Sequence, residues 1–369
     1  MGKKRDVSLD GVRIFAVFSV ISVHFFRNNG FYQNPITGVR MFLMTMMRSF
    51  FVICVPLFLV LTGYLMLSKE LNRQYYKGIV KTLGIYVIAS VACIIFKNVF
   101  QGASYGITGS IAGIFNYTAD DYAWYIEMYI GLFLLIPFLN LIYNGLKNKK
   151  QKLALIGTFL LLTSMPAIFN IFSFSGVDWW LHPASSDFYQ KVLPESWTAL
   201  YPVTLYYIGA YLREYDWKIS KKRSLVLLGV LVIFAGVFNY YRSYGGPFVW
   251  GSWAGYSSPI VIAMTILVFV LIQRMKIWKK ISTQGSKVLK ILSDCALGAY
   301  LISYIFDTLV YPYFLNRVPD FSYKLGYYFI CVPIVFVCSM VASGAMNLIY
   351  GGVKMCVHKI WKMMRNKFA

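Results

Sequence analysis

Residues 8–26 read SLDGVRIFAVFSVISVHFF and set the pattern for the rest of the chain. The segment is apolar enough to enter a bilayer, yet it contains Asp10, Arg13 and His24. A charged residue at the centre of a transmembrane helix costs about 2.5–3.5 kcal/mol to insert, so such residues usually face protein or water and mark a functional path. Arg13 and His24 are eleven positions apart. On an α-helix this spacing is about three turns, so both side chains share one face and lie roughly 16 Å apart along the axis.

The composition excludes an ordinary soluble domain. Hydrophobic residues make up 58% of the 369 positions, and apolar runs recur along the whole chain. The formal charge of +22 would suit a nucleic-acid-binding protein, but the basic residues lie in short segments between the apolar runs. We therefore predict an all-α polytopic membrane protein with no nucleic-acid partner. The six cysteines lack the spacing of an extracellular disulfide framework and are predicted to pack as small residues.

Ten segments are predicted to cross the membrane within one domain that covers residues 1–369. Their approximate ranges are 9–28, 49–68, 78–98, 123–143, 153–173, 198–213, 224–241, 257–273, 291–312 and 324–350. With the N-terminus inside, 28 of the 36 Lys and Arg residues fall on the inner side, nearly all in six short basic segments. This positive-inside pattern predicts that both termini lie in the cytoplasm. The start of the chain lacks a small-residue cleavage site, so we interpret it as part of an uncleaved first helix.

Only one of the three histidines, His24, lies within a predicted membrane segment. His182 lies in an outer loop, as a surface residue or a substrate contact, and His358 lies in the basic C-terminal tail. The sequence contains no metal-binding His or Cys pattern, nucleophile elbow or phosphate-binding loop. From the residues alone, His24 is either a functional base or a partner in a helix–helix hydrogen bond.

Three basic residues stand four apart where the third segment begins. Arg73, Lys77 and Lys81 would form one stripe of a regular helix at the inner mouth. Such a stripe could bind phosphate groups, or it could face anionic lipid headgroups.

One carboxylate, Glu127, lies a few residues inside the outer edge of the fourth segment, at a depth similar to that of His24. A carboxylate beside an imidazole would orient the ring and raise its basicity, so Glu127 is a second candidate catalytic residue. Pairing of Glu127 with Arg48, at the outer start of the second segment, is the alternative.

The outer loops are aromatic, with scattered acids and amides. Aromatic rings can stack on the C–H faces of sugars, which favours carbohydrate contact, although Trp and Tyr also form belts at any membrane surface. We place Arg48, Trp124 and Tyr125 on the outer side, where a carbohydrate that accepts a transferred group would bind; we call this the acceptor side.

The chain resembles the acyltransferase-3 family of integral-membrane O-acyltransferases, in its bacterial, stand-alone form. That family opens with a Leu-Asp-Gly-x-Arg stretch followed after ten residues by His, and here residues 9–13 read LDGVR before His24. Residues 55–65, VPLFLVLTGYL, are similar to the family's Pro-x-Phe-Phe-x-x-Ser-Gly-Tyr-Leu pattern, with Thr62 in place of Ser. The basic start of the third segment and the segments 124–137 and 207–211 are similar as well.

The resemblance implies transfer of an acyl group, usually acetyl, from cytoplasmic acyl-CoA to a hydroxyl of a cell-surface glycan or glycolipid. The expected location is the bacterial cytoplasmic membrane, with acetyl-CoA as donor, membrane lipid as surroundings and no metal. The residues expected to bind acyl-CoA are Asp10, Arg13, Arg73, Lys77 and Lys81. His24 would act as general base on the acceptor hydroxyl or carry the acyl group briefly.

Two departures from the family pattern bear on mechanism. Members often carry Tyr-Leu-x-His in a late helix, whereas residues 300–303 read YLIS here, so Ser303 stands at the His position. We also expect no fused extracytoplasmic domain of the kind that some larger members carry. The chain is therefore expected to act directly on its acceptor or to pass the acyl group to a separate extracytoplasmic transferase. The protein partner expected is that transferase or a second copy of the chain in a homodimer.

The main alternative function is a proton-coupled transporter of a small solute or glycolipid precursor, because a charged helix face also suits a carrier. Carriers often contain internal repeats and several intramembrane acids, and this chain shows no repeat and mainly Glu127, Asp294 and Asp307 as such acids. A third hypothesis is that the protein is a non-catalytic partner subunit, which would agree with a serine, Ser303, at the position of the family's second histidine.

Overall fold

The computed structural model describes residues 5–170, 177–181 and 190–367. Within these residues the protein is helical, with no strand and a single isolated bridge between Ile36 and Tyr244. The α-helices, in chain order, are α1 (Val7–Asn28), α2 (Gly38–Phe51), α3 (Cys54–Met66), α4 (Arg73–Tyr76), α5 (Val80–Phe100), α6 (Ile107–Phe115), α7 (Trp124–Gly145), α8 (Lys149–Thr163), α9 (Pro166–Phe169), α10 (Asp178–Leu181), α11 (Tyr201–Glu214), α12 (Lys221–Arg242), α13 (Pro259–Gln273), α14 (Thr283–Leu315) and α15 (Lys324–Lys367). His182 lies outside the described residues.

Nine helical segments of the described chain are long and apolar enough to cross a membrane. The all-α polytopic class is therefore confirmed, and nine of the ten predicted spans have a matching long segment. The exception is the sixth, where α11 has only 14 residues after a single 3₁₀ turn at Thr198–Leu200. The last part of the predicted fifth span, residues 171–173, lies outside the described residues.

The short helix α11 packs against α3 along its length, with backbone against backbone. A Cβ atom added at Gly63 would lie 1.9 Å from the Tyr206 carbonyl oxygen, and one added at Gly209 would lie 2.0 Å from the Val60 carbonyl oxygen. Small residues that allow such close approach are a common basis of helix association in membranes. A 14-residue helix can therefore stay in the bundle without the length of a full span.

The structure differs from the predicted segments in four places. The second segment begins at Gly38 rather than at 49, because the bundle accommodates its two arginines: Arg48 is buried and Arg40 stacks on Tyr323. The stretch between the predicted third and fourth segments, residues 99–122, contains α6, which exposes Ile107, Ile111 and Phe115 along one face. α14 and α15 both extend beyond their predicted ranges.

α1 is the central helix, in contact with α2, α3, α13, α14 and α15. The first turns of α1, the start of α14, the ends of α3 and α7 and the Tyr350 turn of α15 lie at one end of the bundle. The contacts that show this include Arg5 with Asp294, Asn140 with the Met66 carbonyl, and Tyr350 with Gly84. We call this the basic end. Both ends of the described chain approach it, and its location in the cytoplasm stays a prediction.

Candidate functional site

α1 and α14 run parallel and bring their polar residues together at two levels. Near the basic end, Arg13 Nη1 donates to Ser293 Oγ at 2.6 Å. About three turns further, His24 Nδ1 lies 3.5 Å from Asp307 Oδ2. Both His24 and Asp307 are buried, with 7% and 2% of their surface exposed. The partner of the intramembrane histidine is therefore a carboxylate on α14.

A tyrosine and an asparagine hold Asp307 in place. Tyr122, in the loop before α7, donates through Oη to Asp307 Oδ2 at 2.7 Å. Asn28 Nδ2 donates to the same oxygen at 3.3 Å and to Tyr122 Oη at 2.7 Å. The Tyr122 ring also stacks on the His24 ring, with centroids 3.7 Å apart and planes 28° apart. The imidazole is thus fixed between a ring on one face and a carboxylate at its Nδ1 edge.

This arrangement suits a histidine that works as a base through Nε2. Neither His24 Nδ1 nor Asp307 Oδ1 has a hydrogen-bond partner among the described residues, and their side chains are adjacent, so a small adjustment would join them. Hydrogen bonds between catalytic groups are often long before substrate binds. A carboxylate at Nδ1 keeps the proton on that nitrogen and stabilises the imidazolium that forms when Nε2 accepts a proton.

His24 lines a cavity of about 240 Å³ that we call the His24 cavity. Two arginines, Arg27 and Arg48, line it as well. The remaining wall is mainly aromatic and apolar, and it includes Trp124, Tyr256 and Tyr300. Trp124 and Tyr256 stack there, with ring centroids 5.7 Å apart. Of the three residues predicted on the acceptor side, Arg48 and Trp124 therefore share a cavity with His24.

A second cavity of about 350 Å³ lies toward the basic end, and we call it the Arg13 cavity. Arg13, Lys81, Ser293 and Asp294 supply its polar wall. Tyr125, predicted on the acceptor side, lines this cavity instead of the His24 cavity.

A third, more open cavity of about 650 Å³ adjoins the Arg13 cavity, with Met66 and Tyr129 lining both. Lys77 lines this third cavity. The structure therefore brings three predicted donor-side cations, Arg13, Lys77 and Lys81, to two neighbouring cavities.

Tyr300 on α14 separates the His24 cavity from the Arg13 cavity and lines both. Its Oη donates to the backbone carbonyl of Tyr122. Its ring packs edge-on to Tyr125, with centroids 5.7 Å apart, and lies 6.3 Å from the His24 ring. Tyr300 is thus the one described residue that lines both cavities, and it forms part of the wall between them.

The other predicted site residues lie elsewhere. The Glu127 side chain is exposed and forms no ion pair or hydrogen bond with the described residues, so its predicted pairing with His24 or Arg48 does not occur. Arg73 is exposed and lines neither of the cavities that Lys77 and Lys81 line. The predicted stripe of three is interrupted because residues 77–79 form a 3₁₀ turn, which has three residues per turn.

Asp10 is buried at the basic end, where its strongest partner is Arg5. Arg5 Nε and Nη2 donate to the two Asp10 oxygens at 2.9 and 2.6 Å, and Arg13 Nη1 is 4.0 Å away. These hydrogen bonds raise the pKa of Arg5. Asp10 therefore pairs mainly with Arg5, lies 4.0 Å from Arg13 without a hydrogen bond, and does not line the Arg13 cavity.

The sequence model of the acyltransferase-3 family, described as an acyltransferase domain, matches residues 6–343. The match runs from the residue before α1 into α15 and so includes every cavity described above. This chain belongs to the acyltransferase-3 family. No curated protein and no solved structure matched the chain.

As a member of this family, the protein is a membrane acyltransferase. The residues that sequence reasoning missed are Asp307, Tyr122, Asn28 and Tyr300. A signal for Asp307 was available, because it lies about five residues from the outer end of the predicted segment 291–312, a depth close to that of His24. Depth alone could not choose between Asp307 and Glu127.

Proposed function

We propose that this protein moves an acyl group, acetyl in particular, from cytoplasmic acyl-CoA to a hydroxyl of a cell-envelope glycan or glycolipid. The observation that carries the proposal is the pair of cavities on either side of Tyr300, with Arg13 and Lys81 at one and His24 at the other. A donor and an acceptor would enter from opposite ends of the bundle and meet where Tyr300 now stands.

The donor side is supported by charge. Acyl-CoA carries phosphates at one end and a thioester at the end of a long, thin arm. Lys77 at the open third cavity, together with Lys81 and Arg13 deeper in, would hold the phosphates through charge-assisted hydrogen bonds. The separation of Arg13 and His24, about 16 Å along α1, suits an extended arm.

The chemistry follows from the His24 environment. In direct transfer, His24 Nε2 accepts the proton of the acceptor hydroxyl as the oxygen attacks the thioester carbonyl carbon. The carbon–sulfur bond then breaks, and the sulfur of CoA leaves with a proton returned by His24. Asp307 would stabilise the imidazolium in between. Brief transfer of the acyl group to His24 is the alternative sequence, and both need Tyr300 to move aside.

The test is base-labile acetate on surface glycans of cells that express the wild type or His24→Ala at equal membrane levels. We expect acetate to fall to background in the variant. Acetate that tracks protein level with or without the imidazole would overturn the role of His24. If neither form raises acetate above that of cells without the protein, the proposed function fails and the transporter alternative becomes the better explanation.

A further inference from the structure

The His24 cavity contains two guanidinium groups and no carboxylate among its described lining residues. Arg48 enters it from the end of α2, and Arg27 enters it from the last turn of α1, one turn after His24. A cavity that is to receive a sugar needs hydrogen-bonding groups, but neutral groups would serve a neutral sugar. Two permanently charged guanidinium groups in one cavity are more than a neutral sugar would need.

Arg48 is 2% exposed, and each partner it has in the described structure is uncharged. Its Nε donates to Tyr32 Oη at 3.1 Å and its Nη1 to the Ala254 carbonyl at 2.8 Å. Aromatic rings surround the rest of the group, with the Phe248 and Trp250 centroids 4.8 and 5.1 Å from Cζ. Buried charges are usually paired with an opposite charge, because burial without one is strongly unfavourable. Among the described residues, Arg48 has no partner of opposite charge.

Neither Asp307 nor Glu127 supplies that partner. Asp307 accepts hydrogen bonds from Tyr122 and Asn28 and lies at His24 Nδ1, so its charge serves the imidazole. Glu127 is exposed and forms no ion pair with the described residues. Arg27 has a cation–π contact with Tyr122 at 5.7 Å and no carboxylate partner in the described chain. The two arginines thus remain available to an anionic ligand.

We propose that the acceptor carries an oxyanion, a carboxylate or a phosphate, that binds Arg48 and Arg27 and thereby places the neighbouring hydroxyl at His24. The planar, forked guanidinium matches both oxyanions with paired hydrogen bonds. This inference rests on the proposed function, and it narrows the acceptor from any envelope glycan to an acidic one. A uronic acid and a phosphate-bearing saccharide are the two sources of this chemistry.

The first experiment determines the charge of the acylated product. Membranes with wild-type protein or His24→Ala receive radiolabelled acetyl-CoA, and the labelled glycan is separated by anion exchange at neutral pH. We expect all His24-dependent label to be retained and eluted by salt. Carbodiimide-coupled reduction should abolish retention if the anion is a uronate, whereas hydrofluoric acid should abolish it if the anion is a phosphate. His24-dependent label in the unretained fraction would overturn the inference and leave the proposed function intact, whereas no His24-dependent label would overturn both.

The second experiment tests the two arginines. Retained glycan extracted from His24→Ala cells is titrated against purified wild type, Arg48→Gln, Arg48→Lys and Arg27→Gln. Loss of a charged hydrogen bond should raise the KM for this glycan about tenfold or more in each Gln variant, with partial recovery in Arg48→Lys. Arg40→Gln is the matched control, since Arg40 lies on the same helix, eight residues before Arg48, and stacks on Tyr323 outside the cavity.

Arg27 is exposed, so its substitution tests the inference even if the buried Arg48→Gln fails to fold. An unchanged KM in folded Arg27→Gln and Arg48→Gln, or an equal rise in Arg40→Gln, would show that the arginines do not bind the acceptor's charge.

Discussion

Replacement of Asp307 by Asn separates the charge of this side chain from its shape. Asn keeps the volume of Asp and can still accept the hydrogen bond from Tyr122 Oη, so the stack of Tyr122 on His24 should survive. What is lost is a negative charge 3.5 Å from His24 Nδ1. At an effective dielectric constant of about 20, a charge pair at this distance is worth up to about 5 kcal/mol. The imidazolium that forms in the transition state would lose most of that stabilisation.

A barrier increase of this size corresponds to a rate about a thousand times slower, at about 1.4 kcal/mol for each factor of ten. We therefore expect kcat for acetyl transfer to fall about 10²- to 10³-fold in Asp307→Asn, while the KM for acetyl-CoA changes little because the Arg13 cavity is untouched. The assay is the initial rate of label transfer by purified protein. Thermal melting in detergent checks that the variant folds.

Glu127→Gln is the matched comparison, because it neutralises the other intramembrane carboxylate at a similar predicted depth. Glu127 is exposed, so its substitution should change the rate by no more than about twofold, as is usual for surface sites. If Asp307→Asn keeps more than about a third of the wild-type rate, the assignment of Asp307 to His24 is wrong. An equal loss in Glu127→Gln would show that Glu127 also acts on His24, which would refute the assignment of that role to Asp307 alone.

Three further outcomes are expected. Tyr300→Ala should join the two cavities and raise the rate with butyryl-CoA relative to acetyl-CoA by about tenfold or more, measured in competition; an unchanged ratio would mean that Tyr300 does not limit the acyl group. Gly209→Ala should destabilise the protein by about 1–3 kcal/mol or more, seen as a lower melting temperature, because its Cβ would lie 2.0 Å from the Val60 carbonyl oxygen, whereas Gly131→Ala, with no atom within 4 Å of its Cβ, should not. Burial raises the pKa of Asp120 to about 7, so ionisation of Asp120 lowers the free energy of unfolding as pH rises from the unfolded-state pKa near 4 toward 7, by up to about 4 kcal/mol. Asp120→Asn should therefore have a higher melting temperature than wild type at pH 8 and a smaller advantage at pH 5. An equal difference in melting temperature at the two pH values would exclude this ionisation.

The parts of this protein that sequence reasoning predicted are those that depend on local periodicity. The shared face of Arg13 and His24 follows from the helical repeat alone, and each residue lines a cavity on that face. The class and most of the spans follow from apolar runs and basic loops. The start of the second span was missed because burial of Arg48 depends on Tyr32 and Ala254, and one of these is more than 200 positions away.

For the same reason, the carboxylate that pairs with His24 could not be identified from the local sequence. Glu127 and Asp307 sit at similar depths in their own segments, and what decides between them is which helix packs on α1. That helix is α14, which lies parallel to α1 and meets it at both Arg13 and His24. Similarly, the role of Tyr300 as a wall requires two cavities that only the folded bundle creates.

The serine at position 303, where family members often have a histidine, can be explained from the structure of α14. The hydroxyl of this serine donates to the Tyr300 carbonyl of its own helix at 2.8 Å and is fully buried. Asp307 stands four residues later, one helical turn away on the same side of α14, and it is this residue that reaches His24. The late helix thus still supplies a polar partner to the His24 imidazole, as a carboxylate one turn nearer the C-terminal end of α14. With Ser303 at the position of the family histidine, α14 still places a carboxylate oxygen 3.5 Å from His24 Nδ1.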